Sequence, residues 1–158
     1  LSFGERQPIA ISGPGEYEVK DIFIKGWLSS STYGGEKKLN TVYTVKMEGI
    51  SLCFLGALDS EKALPGDMLQ SIEDGIDILF VPVGGDGVLA CADAYKLAVK
   101  LEPRIIIPMY FNSSAGKSML NTFLKEAGEE GVKGEEKLTL KKKDLEGKEA
   151  DVFVLKES

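Results

Sequence analysis

The sequence predicts an α/β fold, a mixed β-sheet with external helices, and this prediction depends on residues 76–111. Residues 76–83 form a nearly continuous apolar run, the pattern of a strand that is covered on both faces in a parallel sheet. A second apolar run follows at residues 104–109. Between them, Pro103 ends a helix whose apolar residues recur at helical spacing: Leu89, Ala92, Leu97, Ala98 and Leu101. This order predicts two parallel strands joined by a right-handed crossover.

Several half-buried strands are predicted before this unit. The apolar and alternating stretches that indicate them are residues 7–11, 16–20, 22–27, 41–47 and 50–55. Residues 16–20 and 22–27 form either two strands or one bent strand. Residues 41–47 and 50–55 flank Glu48-Gly49, so we expect a β-hairpin with a two-residue turn. Residues 29–38 are mostly polar and are expected to form a loop.

Two further helices and two late strands complete the predicted elements. Residues 65–74 predict a short helix with Leu69 and Ile72 facing the sheet, and residues 118–127 predict a helix that stops at Gly128. Late strands are expected on either side of a polar turn at 144–148, namely at 138–140 and 152–155. The chain has 158 residues and no internal repeat, so we expect a single domain, 1–158.

The net charge limits the partners that the chain can bind, and the cysteines are predicted to be structural. A net charge of −6 argues against nucleic-acid binding, which depends on clustered lysine and arginine. The lysine run 141–143 is followed by acidic residues, so a solvated turn is expected there. Cys53 and Cys91 lie among apolar neighbours and are expected in the core. No signal peptide and no membrane span is indicated, so we expect a cytoplasmic protein with no membrane partner.

Five stretches of the chain together resemble one family of proteins. They are residues 13–19, 40–43, 55–56, 81–85 and 101–109. In order and spacing they are similar to the metallo-β-lactamase-fold hydrolases, in particular the compact Zn-dependent hydrolases similar to ascorbate-6-phosphate lactonase. The resemblance runs from Ile9 to Leu155. It implies a partial αββα sandwich that lacks the amino-terminal, metal-binding half.

The same resemblance implies that the metal ligands of the family are missing from this chain. Relatives bind one or two metal ions through a His-x-His-x-Asp-His loop, a further histidine, a bridging aspartate and a last histidine. The loop would fall before Leu1, and the next histidine position meets residues 28–32. The aspartate position corresponds to Ala57 and the last histidine position to Tyr110. The chain contains no histidine, so we expect no metal, no cofactor and no metal-dependent hydrolysis.

Other candidate sites of chemistry lie at the ends of the predicted strands. Asp59 and Asp86 both follow strands and are candidates for one cleft, although solvated loop carboxylates are the commoner outcome. Cys91 and Asp93 do not share a helix face and are not expected to join them. Gly85 belongs to a glycine-rich stretch that lacks the third glycine of a dinucleotide fingerprint, so a tight turn is expected.

Residues 112–118 end in the Gly-Lys-Ser of a phosphate-binding loop. Phe111 stands where that motif needs glycine, so the match is incomplete. A helix amino terminus still attracts anions, which leaves Asn112, Ser113 and Lys117 as candidates for weak anion binding.

Several functions remain open at this point. A degenerate structural or binding relative of the hydrolases is the first expectation. A fragment or subunit of a hydrolase whose other half supplies the ligands is the second. Metal-free carboxylate chemistry and weak phosphate-ligand binding are further alternatives. A partial sandwich exposes a sheet edge and apolar surface, so we expect a homo-oligomer or a partner chain to cover it.

Overall fold

The structure is a computed structural model that describes residues 8–72, 75–111 and 114–156, and its centre is one mixed sheet. In this part of the chain the strands are β1 (Gly15–Val19), β2 (Ile22–Ser31), β3 (Lys38–Met47), β4 (Ile50–Phe54), β5 (Ile78–Pro82), β6 (Ile105–Met109) and β7 (Asp151–Val152). The helices are α1 (Gly66–Ser71), α2 (Cys91–Lys100) and α3 (Ser114–Glu126), with 3-10 turns at Glu61–Ala63 and Lys142–Leu145. The predicted α/β class is confirmed.

The strands lie side by side in the order in which they occur in the chain. Strands β1 to β4 pair antiparallel, and β4 to β7 pair parallel. The predicted hairpin is confirmed, and Glu48 and Gly49 both have positive φ, 50° and 74°, as its tight turn requires. Because β2 and β4 are both antiparallel to β3, they run in the same direction as β5 and β6. The carboxyl ends of these four strands therefore lie at one edge of the sheet.

Each face of the sheet carries its own apolar cluster. On the first face, Leu79, Val81 and Ile106 pack with residues of α2 and α3, including Leu97 and Phe123. On the second face, the buried residues are Ile78, Ile105, Ile107 and Leu145, against which Leu138, Leu140 and Phe153 pack. The two clusters follow from the alternation of β5 and β6, whose successive side chains point to opposite faces.

The two cysteines are buried, as predicted, and they form no disulfide. Burial raises the pKa of the Cys53 thiol to about 12, because the thiolate form would lose its hydration inside the core.

Some predicted elements differ from the structure. Residues 8–12 form no strand and are mostly exposed, because β1 is the outermost strand of the sheet and pairs only with β2. Gln7 lies outside the described residues. Residues 29–31 continue β2 instead of starting the loop, because they pair with residues 38–40 of β3. Residues 138–140 are not a strand, and β7 is limited to two residues.

The predicted faces of two helices also need correction. In α1, Leu69 is exposed and Met68 is buried, because the helix spans only Gly66–Ser71 and turns a different residue to the sheet. Ile72 does pack against the core, whereas Asp74 lies outside the described residues. In α2, Ala92 is exposed and Ala94 is buried. The helix α3 begins earlier than predicted, and Gly128 follows its end with a φ of +71°.

A buried carboxylate lies at the opposite edge of the sheet, where β5 begins. The side chain of Asp77 is only 6% exposed. Its Oδ1 lies 3.1 Å from Arg104 Nε, and its Oδ2 lies 2.7 Å from Lys142 Nζ. The amide of Ser51 also donates to Oδ2, at 2.9 Å. The lysine run 141–143 is exposed as predicted, but Lys142 has this structural contact, which the sequence did not reveal.

We predict that Asp77→Ala lowers the free energy of unfolding by about 1–3 kcal/mol, because it leaves the Ser51 amide and two cations without their shared acceptor. Urea unfolding followed by circular dichroism measures this. Glu16→Gln is the matched control, since Glu16 forms an exposed ion pair with Lys25 and its loss should hardly move the urea midpoint. Equal midpoints for the two variants would contradict the prediction.

Candidate functional site

Four strands of the sheet end at the edge where α/β proteins bind ligands. The segments that follow β2, β4, β5 and β6 at this edge are residues 32–37, 55–60, 83–90 and 110–111. We refer to these four segments together as the strand-end edge. They include most of the positions that the sequence marked as candidates, among them Ala57, Asp59, Gly85, Asp86 and Tyr110.

The amide of Asn40 fixes the loop that contains Ala57. Asn40 Nδ2 donates to the carbonyl of Leu55 at 3.0 Å, and Asn40 Oδ1 accepts from the backbone N–H of Ala57 at 3.1 Å. Gly56 has a φ of +63°, and a Cβ there would lie 2.5 Å from Asn40 Oδ1. The glycine and the amide therefore fit each other closely. Ala57 contributes only a methyl group to this edge.

Tyr110 follows β6 in a backbone conformation that is rare for a residue with a side chain, with a φ of +65°. Its carbonyl oxygen packs against Gly84, where a Cβ would lie only 2.3 Å away. Its ring meets the ring of Tyr33 edge to face, with centroids 5.4 Å apart. Burial, and then the neighbouring Tyr33, raises the pKa of the Tyr110 phenol. The phenol is therefore protonated at neutral pH.

Contacts between loops join the rest of the strand-end edge. Thr32 Oγ1 donates to the carbonyl of Gly87 at 3.3 Å, and a Cβ on Gly87 would lie 2.3 Å from the carbonyl oxygen of Thr32. The amide of Leu89 donates to the carbonyl of Leu58 at 2.9 Å. The loop after β5 thus touches both the loop after β2 and the loop after β4.

The candidate ligand-binding residues are not drawn into one polar cluster. Asp59 Oδ1 accepts from Ser60 Oγ at 3.0 Å, whereas Asp86 is exposed to solvent. Residues 84–88 form the expected tight turn, in which the amide of Val88 donates to the carbonyl of Gly85 at 2.8 Å. Lys117 is exposed near the start of α3. Asn112 and Ser113 lie outside the described residues.

Gly116, from the Gly-Lys-Ser stretch, has a packing role. A Cβ at this position would lie 2.5 Å from the carbonyl carbon of Phe111, so only glycine lets α3 approach the end of β6 this closely.

The donor set of the strand-end edge does not fit zinc. Zinc sites in proteins use imidazole, thiolate or carboxylate groups that converge on one point. The methyl group of Ala57 offers no lone pair, and the protonated phenol of Tyr110 is a poor ligand. Within the described residues, no three His, Cys, Asp or Glu side chains are grouped so that they could hold a metal ion. The thiol of Cys91 is buried, and its Sγ lies 3.2 Å from the carbonyl oxygen of Met119.

Comparison with known proteins identifies the family. Residues 4–110 match the family model of the β-lactamase superfamily domain. The chain belongs to this superfamily. A Thermotoga maritima protein, described as a Zn-dependent hydrolase of the metallo-β-lactamase superfamily, has 32% sequence identity and a TM-score of 0.66. The match covers 92% of this chain and 70% of that protein, so the expected family and fold are confirmed.

Curated relatives agree with this assignment. A UPF0173 metal-dependent hydrolase of Pyrococcus furiosus is 28% identical over 98 residues, which are 61% of this chain and 42% of that protein. The UPF0173 metal-dependent hydrolase of Opitutus terrae is 38% identical over 72 residues, covering 46% of this chain and 30% of that relative. The matches thus span less than half the length of these curated relatives. Along the described residues, none of the helices is long and apolar enough to cross a membrane.

Asn40 and Tyr33 are residues of this edge whose contacts the sequence did not reveal. The amide of Asn40 is needed because one residue must offer a donor to Leu55 and an acceptor to Ala57 at the same time. In the structure Asn40 lies directly opposite Ser29 in the register of β2 and β3.

We predict that Asn40→Ala lowers the free energy of unfolding by about 1–3 kcal/mol, because a carbonyl and an amide at the strand-end edge lose their partner. Asn40→Asp should recover little of this loss, because it keeps the acceptor for Ala57 but puts a carboxylate oxygen where Nδ2 donates to the carbonyl of Leu55. Asn121→Ala, on the exposed side of α3, is the control and should leave the urea midpoint nearly unchanged. An Asn40→Ala midpoint equal to that of the control would refute the role of the amide.

Proposed function

We propose that this chain is a non-catalytic member of the metallo-β-lactamase-fold hydrolase family and acts as a structural or binding domain. The observation that carries the proposal is the chemistry of two positions at the strand-end edge. Ala57 after β4 has no donor atom, and Tyr110 after β6 presents a protonated phenol. Both lie in loops whose conformation is set by neighbouring protein atoms, the Asn40 amide in one case and the Gly84 contact in the other.

Metal-dependent hydrolysis needs a bound ion that lowers the pKa of water and polarises the substrate. The residues of this edge do not supply the ligands for such an ion, so no hydrolytic step is assigned to them. Metal-free chemistry by paired carboxylates finds little support, because Asp59 is bonded to Ser60 and Asp86 faces solvent. Lys117 remains a candidate for weak anion binding.

We predict that the purified chain retains less than stoichiometric zinc after incubation with zinc chloride and desalting. Its melting temperature should be the same in zinc as in EDTA, because a ligand stabilises a protein only when it binds the folded state. Elemental analysis by mass spectrometry and a thermal melt measure the two quantities.

The Thermotoga maritima relative serves as the control, treated in the same way. If this chain held one or more zinc ions after desalting and melted at a higher temperature with zinc, the non-catalytic proposal would be wrong.

A second candidate is a subunit or part of a larger hydrolase whose other part supplies the metal ligands. It is supported by the lengths of the relatives, because the matches cover only part of them. The match covers 70% of the Thermotoga protein and 42% of the Pyrococcus protein. It is also supported by the second sheet face, where Leu28 and Met47 are exposed. A homo-oligomer or a partner chain on this face is part of the proposal.

Native mass spectrometry separates these candidates. A homodimer of 17.1 kDa chains without metal fits the structural or binding domain. A second kind of chain that brings zinc with it would favour the subunit.

A further inference from the structure

We propose that the noncovalent contact between the rings of Tyr33 and Tyr110 holds together the loops of the strand-end edge, where the family holds its metal ion. We call this contact the cross-link. This inference rests on the proposed function, because it requires that the chain's own residues do not bind zinc there. A metal ion bound by residues from several strand ends would tie those ends together. In this chain, protein contacts provide the tie.

The first support is the strained backbone of Tyr110. A side chain in the left-handed region costs free energy and persists only when the surrounding structure enforces it. Here Gly84 provides the space for the Tyr110 carbonyl, and the amide of Val83 donates to the carbonyl of Met109 at 3.0 Å. These contacts hold the end of β6 against the end of β5. With the backbone in this conformation, the ring of Tyr110 lies against the ring of Tyr33.

The second support is the loop that presents Tyr33. The backbone N–H of Tyr33 donates to Ser31 Oγ at 3.0 Å, and the hydroxyl of Ser31 is nearly buried. The amide of Gly35 donates to the carbonyl of Thr32 at 2.9 Å, which closes a turn around Tyr33. The Thr32 contact with Gly87 then anchors this turn on the loop after β5. The backbone that carries the ring of Tyr33 is therefore held by contacts that do not involve Tyr110.

The third support is what the rings join. Tyr33 follows β2 and Tyr110 follows β6, so β3, β4 and β5 lie between them in the sheet. The loops must reach over these strands for the rings to touch. The residues Tyr33 and Tyr110 are 46% and 39% exposed, so burial alone does not explain their contact. Edge-to-face pairs contribute beyond the area they bury.

A double-mutant cycle tests the cross-link. Tyr33→Leu, Tyr110→Leu and the double variant are compared with the wild type by urea unfolding, with and without zinc. We expect the unfolding equilibrium constants to be coupled by roughly two- to tenfold, as for other aromatic pairs, and the coupling to be the same with zinc and with EDTA. A cycle between Tyr33 and Tyr17, on β1, is the control and should be additive.

Gly87→Ala provides a second test that leaves both rings in place. Its Cβ would strike the carbonyl of Thr32, so we expect the Tyr33–Tyr110 coupling to disappear in this background. Gly49→Ala has similar backbone strain, with a φ of +74°, and no atom within 4 Å of the added Cβ. It should lower stability while leaving the coupling intact.

The results distinguish failure of the cross-link from failure of the proposed function. Additive effects of the two tyrosines in a chain that binds no zinc would overturn the cross-link alone. Stoichiometric zinc on the wild-type chain would overturn the proposed function, and with it the premise of the cross-link. Coupling that is independent of zinc and is lost in Gly87→Ala would support both.

Discussion

The arrangement of the sheet depends on the interactions of the buried carboxylate of Asp77. It accepts from the Ser51 amide in β4 and pairs with Arg104 just before β6 and Lys142 in the last 3-10 turn. One side chain thus joins three segments that are far apart in sequence. The Arg104 guanidinium also donates to the carbonyl of Leu145, which is buried on the second face. The late part of the chain is thereby held against the sheet, although β7 has only two residues.

Much of the fold could be predicted because the local patterns agree with the final structure. The run 76–83, the spacing around Leu97 and the Glu48-Gly49 turn each favour one local conformation. The errors occur where a partner elsewhere in the chain decides the outcome. Residues 8–12 have strand-like composition but no pairing neighbour, and the serines at 29–31 become a strand because β3 lies beside them. The exposure of Lys142 was predicted, but its ion pair with Asp77 was not, since that partner lies far away in sequence.

The candidate site could be located from the sequence but its contacts could not be described. The ends of β4, β5 and β6 were predicted from apolar runs, and Ala57 and Tyr110 were singled out by a family resemblance. The roles of Asn40 and Tyr33 depend on distances between loops, which no pattern in the sequence encodes. The close approach of Gly84 and Gly87 to other backbones likewise cannot be predicted from the sequence, because glycine-rich loops are compatible with many turns.

The strands lie in the sheet in the same order as in the chain, and this affects how the sheet tolerates segments that are added or lost. Among the described residues each strand pairs with its neighbours in sequence, so no strand near one terminus is inserted between strands near the other. Segments gained or lost at a terminus would alter only an outer strand and leave the interior pairings intact. A sheet of this kind can lose a chemical activity, and acquire another use, without a change in its topology.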